Sequence, residues 1–94
     1  MEKKKQALVV TTEKKGVFFG YGHAASSKTI RLENARMCVY WSVDVKGVLG
    51  LASGGPTKNC RVTPAVPAIT LQGVTAVMEA TPQSAAAWEA QPWS

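Results

Sequence analysis

The chain has 94 residues, a formal charge of +5 and 46% hydrophobic residues. That is room for one small domain over residues 1–94, and the composition is too apolar for a disordered chain. Cys38 and Cys60 lie far apart and His23 is the only histidine, so the spacings of a zinc site or a thiol–imidazole dyad are missing.

The first five residues form a basic, flexible N-terminus, Met1-Glu2-Lys3-Lys4-Lys5. Gln6 to Thr12 is apolar and β-branched and reads as a strand. Glu13-Lys14-Lys15-Gly16 is a turn that pairs it with Val17 to His23 as a hairpin. In that second strand Val17, Phe19, Tyr21 and His23 share one face, and Phe18, Gly20 and Gly22 share the other. Glycines weaken a strand interior, so Gly20 and Gly22 mark a bulge, a bend or a close approach of another chain segment.

Ala24 to Ser27 is a loop. Lys28 to Glu33 is a third strand, with Ile30 and Leu32 inward. Glu33-Asn34 marks a turn or bulge before a fourth strand, Arg36 to Trp41. There Arg36, Cys38 and Tyr40 alternate with Met37, Val39 and Trp41, unless a bulge re-aims the last. Ser42 caps a short helix over 43–53, in which Val45, Val48, Leu49 and Ala52 fall at helical spacing and Gly54-Gly55-Pro56 is the stop. Pro64 and Pro67 make Val62 to Ala68 an extended edge segment. Ile69 to Leu71 and Val74 to Glu79 are strands broken at Gln72-Gly73. Thr81-Pro82 opens a last helix, with Thr as N-cap and Pro at the first helical position. The expected fold is mainly β (α+β). It is a small antiparallel sheet of five or six strands, curled at Gly20, Gly22 and Gly73, with one or two short helices, the last at the C-terminus.

Little in the chain points to bond-breaking chemistry, and a non-enzymatic protein without metal or cofactor is expected. Cys38 reads as a small core hydrophobe; whether it pairs with Cys60 is left open by spacing alone. No apolar run reaches the length of a signal peptide or a membrane span, so the expectation is a cytoplasmic protein with reduced thiols. Residues 1–36 hold eight Lys or Arg against three Glu, whereas 62–94 hold no Lys or Arg. The basic half would attract an anion. The guanidinium of Arg36 suits phosphate, and Tyr40 and Trp41 nearby offer rings on which a base can stack. With Arg31, Lys46 and Arg61 these are the candidate ligand-binding residues. Trp88 and Trp93 are candidate anchors, on the sheet or at a subunit interface. A chain this short buries only about 60–65% of its unfolded surface, which favours a homo-oligomer.

Several short motifs carry a family resemblance. They are Val9-Val10-Thr11-Thr12, Gly16 to Gly20, Asn34-Ala35-Arg36-Met37-Cys38-Val39-Tyr40-Trp41, Leu51 to Gly54 and Pro67 to Leu71, with Thr81 and Gln91-Pro92-Trp93 at the end. In these the chain resembles a family of short uncharacterised proteins encoded by tailed bacteriophages and prophages. Met37 and Thr11 stand where that pattern commonly has Arg. The resemblance implies a phage origin and a small single domain, and it implies no activity; with a phage origin the expected cytoplasm is the host's. The functional expectation is an accessory binding protein of the infected cell, acting in counter-defence by sequestering an anionic nucleotide signal or by binding a host protein. A virion component, such as a capsid decoration or tail protein, is the alternative. A nucleic-acid binder ranks last, because no recognition helix or basic amphipathic face accompanies the charge.

Overall fold

A computed structural model describes residues 5–13, 16–23, 28–41, 47–57 and 60–91. Their elements run β1 (Gln6–Thr12), β2 (Val17–Gly22), β3 (Thr29–Tyr40), α1 (Gly47–Ser53), β4 (Arg61–Val62), β5 (Val66–Gln72), β6 (Val74–Glu79) and α2 (Pro82–Ala90). The architecture is the expected one: mostly β, a six-stranded antiparallel sheet, and two helices with the last at the C-terminal end. The sheet order is β4-β3-β2-β1-β6, and β5 lies on the free side of β3.

Two segments expected as separate strands are one. β3 runs for 12 residues through Asn34, which takes φ 49° and absorbs the break as a bulge. The pairing with β2 records it, since Phe19 faces Arg36 while Tyr21 faces Glu33. Opposite this irregularity lie Gly20 and Gly22. A Cβ on Gly20 would stand 2.7 Å from the Leu32 side chain, and one on Gly22 would stand 2.6 Å from the Arg31 carbonyl oxygen. The glycines therefore permit a close approach of β3, one of the three roles their sequence position suggested.

The strand alternation sorts the apolar residues into two cores. Leu8, Val10, Ile30, Leu32, Ala35 and Leu71 fill the inner face, flanked by half-buried Phe18, Ile69, Val74 and Val77. Val9, Val17, Phe19, Cys38 and Val62 cover the outer face, where Leu51, Ala52 and Trp88 of the helices pack on them. Within α1 the buried residues are thus Leu51 and Ala52; Leu49, placed by helical spacing on the buried side, is exposed. The earlier turns expected for this helix lie in 42–46, outside the described residues.

The helices cap each other. The last carbonyls of α1 would be orphaned by its end. Leu51 O accepts from Ser84 Oγ (2.6 Å) and Trp88 Nε1 (3.2 Å), Ala52 O from Thr81 N (3.0 Å), and Ser53 O from Thr81 Oγ1 (2.6 Å). Thr81 Oγ1 is also the expected N-cap, accepting from Ser84 N at 3.0 Å. Gly55 makes this possible: it takes φ 82°, and a Cβ there would meet Ala87 Cβ at 2.6 Å. Among the described residues no helix is long and apolar enough to cross a membrane.

Candidate functional site

Arg36 sits at the centre of the outer face, on the bulged part of β3, and is only 8% exposed. Its guanidinium lies against backbone. Nε donates to Thr63 O at 2.7 Å, and Nη1 donates to Trp88 O and, at 3.5 Å, to Glu89 O. Those last two oxygens are C-terminal carbonyls of α2, where the helix dipole favours a cation. Burial pulls the Arg36 pKa below its ordinary value. Arg36 is thus a C-terminal cap that ties α2 to β3 and to the segment between β4 and β5.

The other sequence candidates do not converge on it. Arg31 is exposed and pairs with Glu33 at 2.9 Å, and Lys5 pairs with the same carboxylate. These two cations hold the Glu33 carboxyl below the usual range, Lys5 acting first. Arg31 and Tyr40 stand nine positions apart on β3, about 25–30 Å of strand. A single mononucleotide does not span them. Tyr40 and Arg61 are cross-strand partners of β3 and β4, and both are exposed. The register slips between Cys38 and Tyr40, and half-buried Trp41 is turned onto the outer core beside Cys38 rather than away from it. Lys46 and Trp93 lie outside the described residues.

Of the two anchor roles expected for Trp88, the structure shows the sheet and not the subunit interface. The residue is fully buried within its own chain, stacked on Phe19 with ring centroids 5.2 Å apart and planes 8° apart. It docks α2 on the sheet and has no surface to give to a subunit interface.

Cys38 and Cys60 are free and buried in the same core. Burial, then the neighbouring Cys60, push the Cys38 thiol up to about 11, so little of it is thiolate near neutral pH. His23 is exposed at the end of β2. Among the described residues no three His, Cys, Asp or Glu side chains are grouped to hold a metal ion.

Two clefts flank the segment Pro64-Ala65, which both share with Arg36. One, of about 440 Å³, is apolar and opens on the inner side; Phe18, Ala35, Met37, Val66 and Ile69 line it. The other, of about 540 Å³, lies on the helix side beside Phe19, Asn34, Glu89 and Gln91. At the latter's edge Tyr21 donates its hydroxyl to the Glu89 carboxylate. Desolvation and that bond raise the Tyr21 pKa to about 12.

Residues 5–88 match the family described as a domain of unknown function, DUF6948. The chain belongs to that family. No curated protein and no solved structure matches it. The matched span runs from Lys5 to Trp88, so it takes in all six strands and α1 and reaches into α2. Membership therefore covers both clefts almost whole, leaving out only Glu89 and Gln91. Sequence reasoning missed the inner cleft. Its lining comes from β2, β3, β5 and the stretch before β5, and no local pattern brings these together. The only signal was indirect: two prolines, Pro64 and Pro67, inside an otherwise apolar segment.

Proposed function

We propose that this protein works by binding another protein, as an accessory factor of the kind its phage-like motifs suggest, and that it performs no chemistry of its own. The observation that carries this reading is the apolar cleft, with its half-buried rim, on the inner side of the sheet. The 440 Å³ cleft lies there, beside half-buried Phe18, Ile69 and Val77. Exposed Val66 extends it. An apolar cleft of about 440 Å³ can seat an apolar anchor side chain of a partner. The candidate cations give less support to a nucleotide pocket, because Arg36 is engaged by carbonyls, Arg31 by a carboxylate, and Arg61 lies beside Tyr40 at the other end of β3.

The second reading, sequestration of an anionic nucleotide, retains one specific observation: the helix-side cleft of about 540 Å³ has Arg36 and the Phe19 ring in its wall. The same experiment separates the two. The tagged protein is isolated from bacterial host cells under native conditions, and the eluate is examined by native mass spectrometry. Protein binding predicts a stoichiometric host polypeptide. A co-purifying nucleotide of defined mass, with no polypeptide, would overturn it in favour of sequestration.

A further inference from the structure

Capping uses only part of the Arg36 guanidinium. Nε donates to Thr63 O, and Nη1 donates to Trp88 O and Glu89 O. Nη2 carries two further N–H donors and has no hydrogen-bond partner among the described residues, where Arg36 also forms no ion pair. No fully buried side-chain nitrogen or oxygen among these residues is left without a partner. Nη2 therefore holds part of the 8% of Arg36 that remains exposed. Arg36 borders both clefts; the inner one is apolar, and the helix-side one carries the polar groups. The helix-side walls are Pro64-Ala65, which follow Thr63, and Glu89, which follows Trp88. The guanidinium is thus held between the two walls of this cleft with one nitrogen unspent.

A charged donor withdrawn from water is costly without an acceptor. The acceptor must also suit the rest of the wall. Glu89 brings a carboxylate, one oxygen of which accepts from Tyr21. Gln91 spends its amide N–H groups on Thr57 O and Cys60 O, both at 3.0 Å, which leaves its side-chain oxygen as an acceptor. A carboxylate or phosphate entering here is attracted by Arg36 and repelled by Glu89. A primary amide matches both, because it accepts through oxygen and donates through nitrogen. A nucleobase finds no ring to stack on: Phe19 is 1% exposed, with Trp88 on its face and Tyr21 at 5.4 Å.

We propose that the helix-side cleft is a pocket for the side-chain amide of a Gln or Asn on a partner protein. The amide oxygen accepts from Arg36 Nη2, and the amide nitrogen donates to the Glu89 carboxylate. Both clefts share Pro64-Ala65. A partner segment that crosses these two residues places an apolar side chain in the inner cleft and its amide in the other. Arg36 keeps its capping role, since the contact uses only the nitrogen that capping leaves over. The inference rests on the protein-binding reading and names the partner's chemistry.

The test adds the peptide Leu-Ala-Ala-Gln-Ala, with acetyl and N-methylamide caps, to the full chain. Three control peptides carry Met, Glu or Lys in place of Gln, and adenosine monophosphate is a further probe. The NMR signals of the Arg36 guanidinium and the Gln91 side-chain amide report on the cleft. The Gln peptide should shift both, the three controls should bind about tenfold weaker, and adenosine monophosphate should shift neither. Glu89→Gln, at an exposed position, should keep the fold and make the Glu peptide the tightest binder. No shift at Arg36 with the Gln peptide at millimolar concentration overturns the proposal, as does equal binding of the Gln peptide and any control. Tighter binding of the Glu peptide to the unaltered chain also overturns it. The wall is then cationic, as Lys58, between Thr57 and Cys60 in sequence and outside the described residues, would make it. Shifts with adenosine monophosphate alone overturn it in favour of a nucleotide. A host polypeptide captured from cells but cross-linked to the inner cleft alone removes the amide pocket and leaves the protein-binding reading standing. Capture of a nucleotide alone removes both.

Discussion

The residue that decides most here is Arg36. Its three bonds to backbone carbonyls hold α2, β3 and Thr63 in one arrangement. A hydrogen bond involving a charged group contributes about 1.5–3 kcal/mol, and the bonds share one side chain and are not additive. Arg36→Ala should therefore lower stability by about 2–4 kcal/mol, read from the urea midpoint. Arg36→Lys should recover only part of this, because an ammonium cannot form the fork. A ligand-binding arginine would instead leave the midpoint unmoved. Tyr21 supplies a pH test. Its folded pKa of about 12 exceeds the ordinary value of 10, so the neutral phenol is favoured in the folded state. The stabilisation is complete below pH 10 and is lost as pH rises from 10 to about 12. Tyr21 is half-buried, so the loss should be on the order of 1–2 kcal/mol. Tyr21→Phe should flatten the stability profile across that window; an unchanged slope would contradict the assignment.

At the scale of elements, local chemistry was legible and long-range partnership was not. Thr81-Pro82 announces a helix start because cap and first turn are neighbours in sequence, and α2 begins there. Gly54-Gly55-Pro56 announces a stop, and α1 ends at Ser53. β3 read as two strands because Asn34 has turn chemistry, although a single left-handed residue can also bulge a continuous strand. Arg36 read as a ligand group because its carbonyl partners on α2 lie 52 and 53 residues away and leave no trace nearby. Its position on the same strand face as Cys38 was the available hint. The two adjacent glycines after α1 separate two requirements. Gly55→Ala must place a Cβ at φ 82° and 2.6 Å from Ala87 Cβ, and should destabilise by about 2–4 kcal/mol. Gly54→Ala meets nothing nearer than Gly50 O at 3.7 Å, and should change stability by less than about 1 kcal/mol. Equal effects in chemical denaturation would mean that α2 does not press on Gly55.

For the whole molecule, the sheet carries helices on one face and buries Leu8, Val10 and Leu32 on the other, leaving a half-buried apolar rim there. The outer core is sealed by Trp88, Leu51 and Ala52, all buried. The inner core has no helix over it; its central residues are buried, and Phe18, Ile69, Val74 and Val77 at its margin stay half-buried. A thin core was readable from the composition, but which face lacked a helix was not. That depends on Gly73 sending β6 to β1 instead of back along β5, and the expected curl at Gly73 does not say which strand β6 joins. Recognition through the inner cleft and its rim is the claim on which the account turns. The most direct measurement is hydrogen–deuterium exchange on the protein alone and in the complex isolated from host cells. The account predicts new protection in Val66–Gln72 and Val74–Glu79, with Arg31, Tyr40 and Arg61 unchanged. Protection confined to Arg31, Tyr40 and Arg61, with β5 and β6 exchanging as in the free chain, would contradict it.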